Sequence, residues 1–302
     1  MTQAGITPRK ASLWWNLLGV AVSAGLVVAI ILQLGGATSA VLKTISGLPP
    51  LVWPMLVLLY LTQPLCDYAV FRRLWNLPLA GIGALLRKTV INEVVLGYSG
   101  EAYLYVWARR VVGEGAFAAI KDVNIISALL SNLLTLALAA ISITQLQKLD
   151  FAHRVGPALW SGLIPLTISM GVLLFGRRVF SLSRAALAHI SLAHGIRLVV
   201  STALLVLIWR MALPEVALGL WVVLLAIRYL ISRLPVISNK DLVFGNLMLL
   251  LLGADSTVAV LQAALALMTL GLHLAVIVGL GAADLVRRLR GVKPLAPARR
   301  SA

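Results

Sequence analysis

Apolar runs of membrane length, separated by short clusters of lysine and arginine, recur from one end of this chain to the other. A run of about twenty apolar residues reads as a helix that crosses a bilayer, so the pattern leaves few folds open. The whole composition agrees: 61% of the 302 residues are hydrophobic, 12% are charged, and the mean hydropathy is +0.99. The expected fold is all-α, a polytopic transmembrane helical bundle of about seven to eight spans. It forms a single integral membrane domain over 1–286 and ends in a basic cytoplasmic tail over 287–302. Predicted spans are Leu13–Leu34, Leu51–Phe71, a stretch from Lys121 and Asp122 to Gln145, Pro157–Gly176, Ile196–Leu213, Val216–Ile231 and Thr257–Gly281. The first, with Arg9 and Lys10 before it, shows no small-residue cleavage site and is read as a mature anchor.

The net charge of +16 does not point to a nucleic-acid partner, because the basic residues are dispersed between apolar runs instead of gathered on a polar domain. They report topology. Only Lys43, Lys148, Arg154 and Arg210 of the 26 lysines and arginines fall toward the outside in this arrangement. Cytoplasmic loops carry the Lys/Arg excess, which places both termini in the cytoplasm of a bacterial-type inner membrane. One cysteine, Cys66, offers neither a disulfide framework nor a thiolate metal site. The four histidines are scattered over different segments, so no metal and no cofactor is expected.

Residues 85–110 break the pattern. Arg87 and Lys88 precede an apolar stretch and Arg109 and Arg110 follow it, so both ends read as cytoplasmic. Gly97, Tyr98, Ser99 and Gly100 divide it into arms of about eight residues, roughly 12 Å of helix each against ~30 Å of hydrocarbon. A re-entrant hairpin fits, turning on small residues with Glu93 and Glu101 inside. Non-helical backbone at membrane depth persists only where it is buried or lines a water-filled cavity. A second interruption spans 232–253, where Pro235, Asn239, Lys240, Asp241, Gly245 and Asn246 disturb an apolar run. Two broken segments in corresponding halves point to a midplane binding site in transporters built from repeats. The two elements are therefore expected to meet.

Asn92, Gly97 and the Gly100-Glu101 pair, with a basic pair shortly after, resemble the N-x3-P-G-x2-G-E pattern of the lysylphosphatidylglycerol synthase transmembrane, flippase-like family. Leu234-Pro235 and the apolar helix ending at Gly253 resemble its second motif. Leu96 stands where the family has proline, and Ser238-Asn239-Lys240-Asp241 stands where it has a glycine pair and a glutamate. The resemblance implies handling of a polar-headed phospholipid or isoprenoid-linked lipid, without the family's soluble aminoacyl transferase domain. A membrane lipid is then the partner. The alternative is a non-catalytic membrane subunit, presenting a lipid to a neighbouring lipid-modifying synthase or glycosyltransferase; self-association into a homo-oligomer is compatible with both.

The substrate-binding candidates are Asn92, Glu93, Gly97, Tyr98, Ser99, Gly100, Glu101, Arg109, Arg110, Asn239, Lys240 and Asp241. Glu101 either meets ligand or pairs with Arg109 or Arg110, and Glu93 either meets ligand or partners Lys88. Asn92 either braces the hairpin or touches ligand, and Lys240 and Asp241 either neutralise one another or bind phosphate. Asp67 is expected to pair with Arg72 and Arg73, Arg197 and Arg228 to snorkel, and His273 to make an interhelical hydrogen bond. No catalytic residue is expected, since no Ser/His/Asp or Cys/His set shares a depth. No G-x4-GK[ST] phosphate loop occurs either, which leaves an ion gradient, a partner or downhill movement to drive transport.

Overall fold

A computed structural model describes residues 28, 38–146, 179–234 and 237–290. The predicted span Pro157–Gly176, the loop bearing Lys148, Asp150 and Arg154, Pro235, the tail beyond 290 and all of Leu13–Leu34 except Val28 lie outside the described residues.

Within them the chain is helical and contains no strand. After α1 (Thr38–Gly47), one order of elements runs twice. A long helix, α2 (Val52–Trp75), leads to two short arms, α3 (Ile82–Val90) and α4 (Ser99–Val111), and then to a longer helix, α5 (Ala116–Leu146). The second round consists of α6 (Arg184–Ala212), α7 (Leu218–Ser232), α8 (Lys240–Leu252) and α9 (Thr257–Leu289). A five-residue π-helical turn, Ile91–Val95, extends α3. Among the described residues four helices, α2, α5, α6 and α9, are long and apolar enough to cross a membrane.

This order corrects two readings of the sequence. The apolar run Val216–Ile231 is not a span: α7 has 15 residues, about 22 Å of helix against ~30 Å of hydrocarbon. It is the first arm of the second broken pair, which therefore begins well before residue 232. The helix assigned to Ile196–Leu213 begins earlier, at Arg184. The first turns of this helix carry Arg184, His189 and His194, so the apolar run marks only its later part. Ser183 caps its start by accepting from the Ala186 amide at 3.3 Å, and Asp122 on α5 clamps the approach by accepting from the Ser181 and Leu182 amides, both at 2.7 Å.

Each broken pair sits in its own apolar core. Arms α3 and α4 pack with the ends of α2, α5 and α6 around Phe71, Leu85, Leu104, Ile120 and Ile190. Arms α7 and α8 pack with α9 and the other ends of α2 and α6 around Trp209, Trp221, Phe244 and Met248. Helices α8 and α9 approach closely because small residues face each other there. A Cβ on Gly245 would lie 3.2 Å from the Ala263 Cα and 3.3 Å from the Ala266 Cβ, the way helices associate where no hydrophobic force separates helix from lipid. Among the described residues, Glu93, Arg197, Arg233 and Lys240 all line cavities beside these cores.

Candidate functional site

The first broken pair closes on itself through Asn92. Its Oδ1 accepts from the Gly100 amide at 2.7 Å, and its Nδ2 donates to Glu101 Oε1 at 3.1 Å. Ser99 Oγ lies 2.6 Å from the Leu96 carbonyl oxygen and 3.2 Å from that of Ile91, a second contact for two carbonyls that already accept the Ser99 and Leu96 amides. Of the alternatives for Asn92, bracing is the one seen, and the side chain also faces a cavity. The left-handed residue of the turn is Tyr98, at φ 69° and 61% exposed, whereas Gly97 takes no positive φ.

Charges around the turn pair differently from the expectation. Lys88 Nζ donates to Asp67 Oδ2 at 2.8 Å and lies 3.5 Å from Glu101 Oε1. Asp67 thus meets Lys88 and Gln63, not Arg72 or Arg73. Glu101 meets Lys88 and Asn92, not Arg109 or Arg110, which are exposed on the last turn of α4 and line neither cavity of the site. Its second oxygen, Oε2, is buried and has no hydrogen-bond partner among the described residues.

The second pair repeats the local geometry. Asn239, left-handed at φ 49°, precedes the 13-residue α8 as Tyr98 precedes the 13-residue α4. Asp241 in the first turn pairs with Arg228 on α7, so Lys240 and Asp241 do not neutralise one another. Lys240 Nζ donates to the Ser232 carbonyl at 2.8 Å. Arg228, expected to snorkel, holds this carboxylate and lies over the Phe244 ring.

The two pairs meet backbone to backbone. The Asn239 amide donates to the Glu93 carbonyl at 2.6 Å, joining the end of α3 to the start of α8. Two cavities open beside this joint, of about 290 Å³ and 210 Å³. Both are walled by Glu93, Arg197, Arg233 and Lys240, with Ser131 and Ser232 beside them. Asn92, Gly97, Tyr98 and Glu101 line the smaller, and Asp241 and His273 the larger. His273 Nδ1 lies 3.0 Å from the Tyr60 hydroxyl, the interhelical hydrogen bond expected of it.

Sequence reasoning missed Arg233 and the inward aim of Arg197. The available signal was a charge inside or beside an apolar segment, which faces a bundle interior or a water-filled cavity more often than lipid. It also missed that Cys66 Sγ lies 3.7 Å from His194 Nδ1 in the buried interior, since 128 residues separate them in sequence. Contrary to the sequence-based expectation, a Cys/His pair does come together, at Cys66 and His194. Among the described residues no group of three or more histidine, cysteine or carboxylate side chains is placed to hold a metal. No known protein family, curated protein or solved structure matches the chain.

Proposed function

We propose that this protein moves a polar-headed membrane lipid past the charged seam between its two broken helix pairs, as a flippase-like transporter. The observation that carries the reading is the Asn239 to Glu93 joint, which sets two discontinuous elements side by side at charged cavities inside a body of long apolar helices. Discontinuous helices meeting at a repeat interface are the usual substrate site of transporters. A headgroup crossing hydrocarbon loses its water, at several kcal/mol for each unsatisfied polar group. The seam offers carboxylates, guanidinium groups and hydroxyls in place of that water, while the acyl tails stay among apolar helices. The Lys/Arg bias supports a plasma membrane location with both termini in the cytoplasm.

The test is translocation of a fluorescent phospholipid in liposomes containing the purified protein. Glu101→Gln keeps size and hydrogen-bonding capacity while removing charge. It is expected to slow translocation roughly tenfold or more, the size of one lost charge-assisted interaction, with an unchanged yield of folded protein. Leu133→Ala, at an exposed position of α5, is the control and should leave the rate as it is. Wild-type translocation by the Gln variant sinks the reading.

A further inference from the structure

The seam holds more positive charge than its carboxylates neutralise. Lys88 is held by Asp67 and Glu101, and Arg228 by Asp241. Arg197, Arg233 and Lys240 reach the same two cavities from three separate elements. Among the described residues, none of these three has a carboxylate at ion-pair distance. Their partners are neutral. Arg197 reaches the Ser131 hydroxyl at 3.5 Å, Arg233 reaches Asn132 Oδ1 at 3.3 Å and Ser232 Oγ at 2.9 Å, and Lys240 reaches a backbone carbonyl.

Two observations show that these cations are incompletely compensated. The Nε of Arg197 is buried without an acceptor among the described residues. Arg233 also feels the repulsion of Arg197, and Lys240 feels the attraction of Glu93 together with a smaller repulsion from Arg233. Glu93, the strongest carboxylate influence on Lys240, also takes a hydrogen bond from the Lys240 backbone amide. Like charges gathered in low dielectric repel strongly, and ionisable groups at membrane depth mark ligand paths. Guanidinium forks match the oxygens of a phosphate, and an ammonium adds a point charge.

We propose that Arg197, Arg233 and Lys240 form a binding site for a phosphate group, carried on a lipid headgroup or free in solution. The inference rests on the cavity reading above, but it is tested by binding and not by transport.

The full chain in detergent is titrated with dihexanoylphosphatidylglycerol, dihexanoylglycerol and inorganic phosphate, with tryptophan fluorescence as the readout. The phosphatidylglycerol is expected to bind saturably and at least roughly tenfold more tightly than dihexanoylglycerol, one charge-assisted hydrogen bond being worth about that factor. Inorganic phosphate binding as tightly as the lipid supports the site with free phosphate as its occupant; much weaker binding supports the lipid. Arg197→Gln and Arg233→Gln should each weaken phosphatidylglycerol binding by a similar factor, and Arg197→Lys should retain part of it. Equal binding of the two lipids by the wild-type chain overturns the inference without any variant. So does undiminished phosphatidylglycerol binding by the folded Gln variants. Translocation with no preference for phosphate removes this inference alone, whereas phosphate binding without translocation removes the transport reading alone.

Discussion

Lys88 is the residue on which the first half of the site turns. Its side chain is 5% exposed and that of Asp67 is fully buried, while Glu101 shares the same ammonium. A buried pair contributes little compared with an apolar replacement of both members, but removing one member leaves a charge stranded and costs about 3–5 kcal/mol. Lys88→Met is therefore expected to destabilise the protein by about that amount. Adding Asp67→Asn to it should recover most of the loss, with thermal unfolding in detergent as the measurement. A double variant as unstable as the single one would show that Lys88 does not act by compensating Asp67. Spacing explains why the sequence misled here: residues three and four apart share a helix face, and those five or six apart do not. Arg72 and Arg73 point away from Asp67, and its neighbour at the right spacing, Gln63, donates to it at 2.8 Å.

At the scale of the element, the hairpin depends on Gly100 for a reason other than the expected one. The sequence suggested a turn on small residues, yet the left-handed position belongs to Tyr98, a conformation that costs a non-glycine residue about 1–2 kcal/mol. Gly100 is required because the arms nearly touch: a Cβ there would lie 2.1 Å from the Lys88 carbonyl oxygen and 2.7 Å from Asn92 Oδ1. Gly100→Ala must push the arms apart and is expected to cost about 3 kcal/mol, the upper end for overpacking. Gly83→Ala in the same hairpin meets its nearest atom at 3.8 Å and should be neutral or stabilising by up to about 1 kcal/mol through helix propensity. Equal effects of the two substitutions on the melting temperature would refute the close approach of the arms.

For the whole molecule, the repeated order of long helix, two short arms and long helix carries the argument. Each half supplies a left-handed residue, a 13-residue arm and a first-turn carboxylate held by a cation. The joint at Glu93 and Asn239 brings the two halves together. Arms of about 20 Å are each shorter than ~30 Å of hydrocarbon, so the first pair is expected to enter and leave by the same face. Cysteines at Leu79 and Glu114, exposed positions that bracket the first pair, placed in a Cys66→Ser background, should both react with an impermeant reagent from the cytoplasmic side only. Reaction from opposite sides would make α3 and α4 a crossing and remove the re-entrant hairpin.

Helical class, the long apolar helices and the existence of two interruptions were legible in the sequence, because hydropathy and basic clusters are local properties that a bilayer constrains one segment at a time. Asn92, Glu93 and Glu101 were marked for the same reason: a polar group inside an apolar run stands out wherever the rest of the chain lies. Only the tertiary structure decided that Val216–Ile231 is an arm and not a span, because apolar packing against α5 and α8 and apolar contact with lipid select the same side chains. It alone decided which charges pair, since Lys88 with Asp67, Arg228 with Asp241, and the unmatched Arg197 and Arg233 depend on contacts between segments distant in sequence. The backbone hydrogen bond at the seam spans 146 positions, and backbone amides and carbonyls, identical at nearly every residue, leave no mark in a sequence.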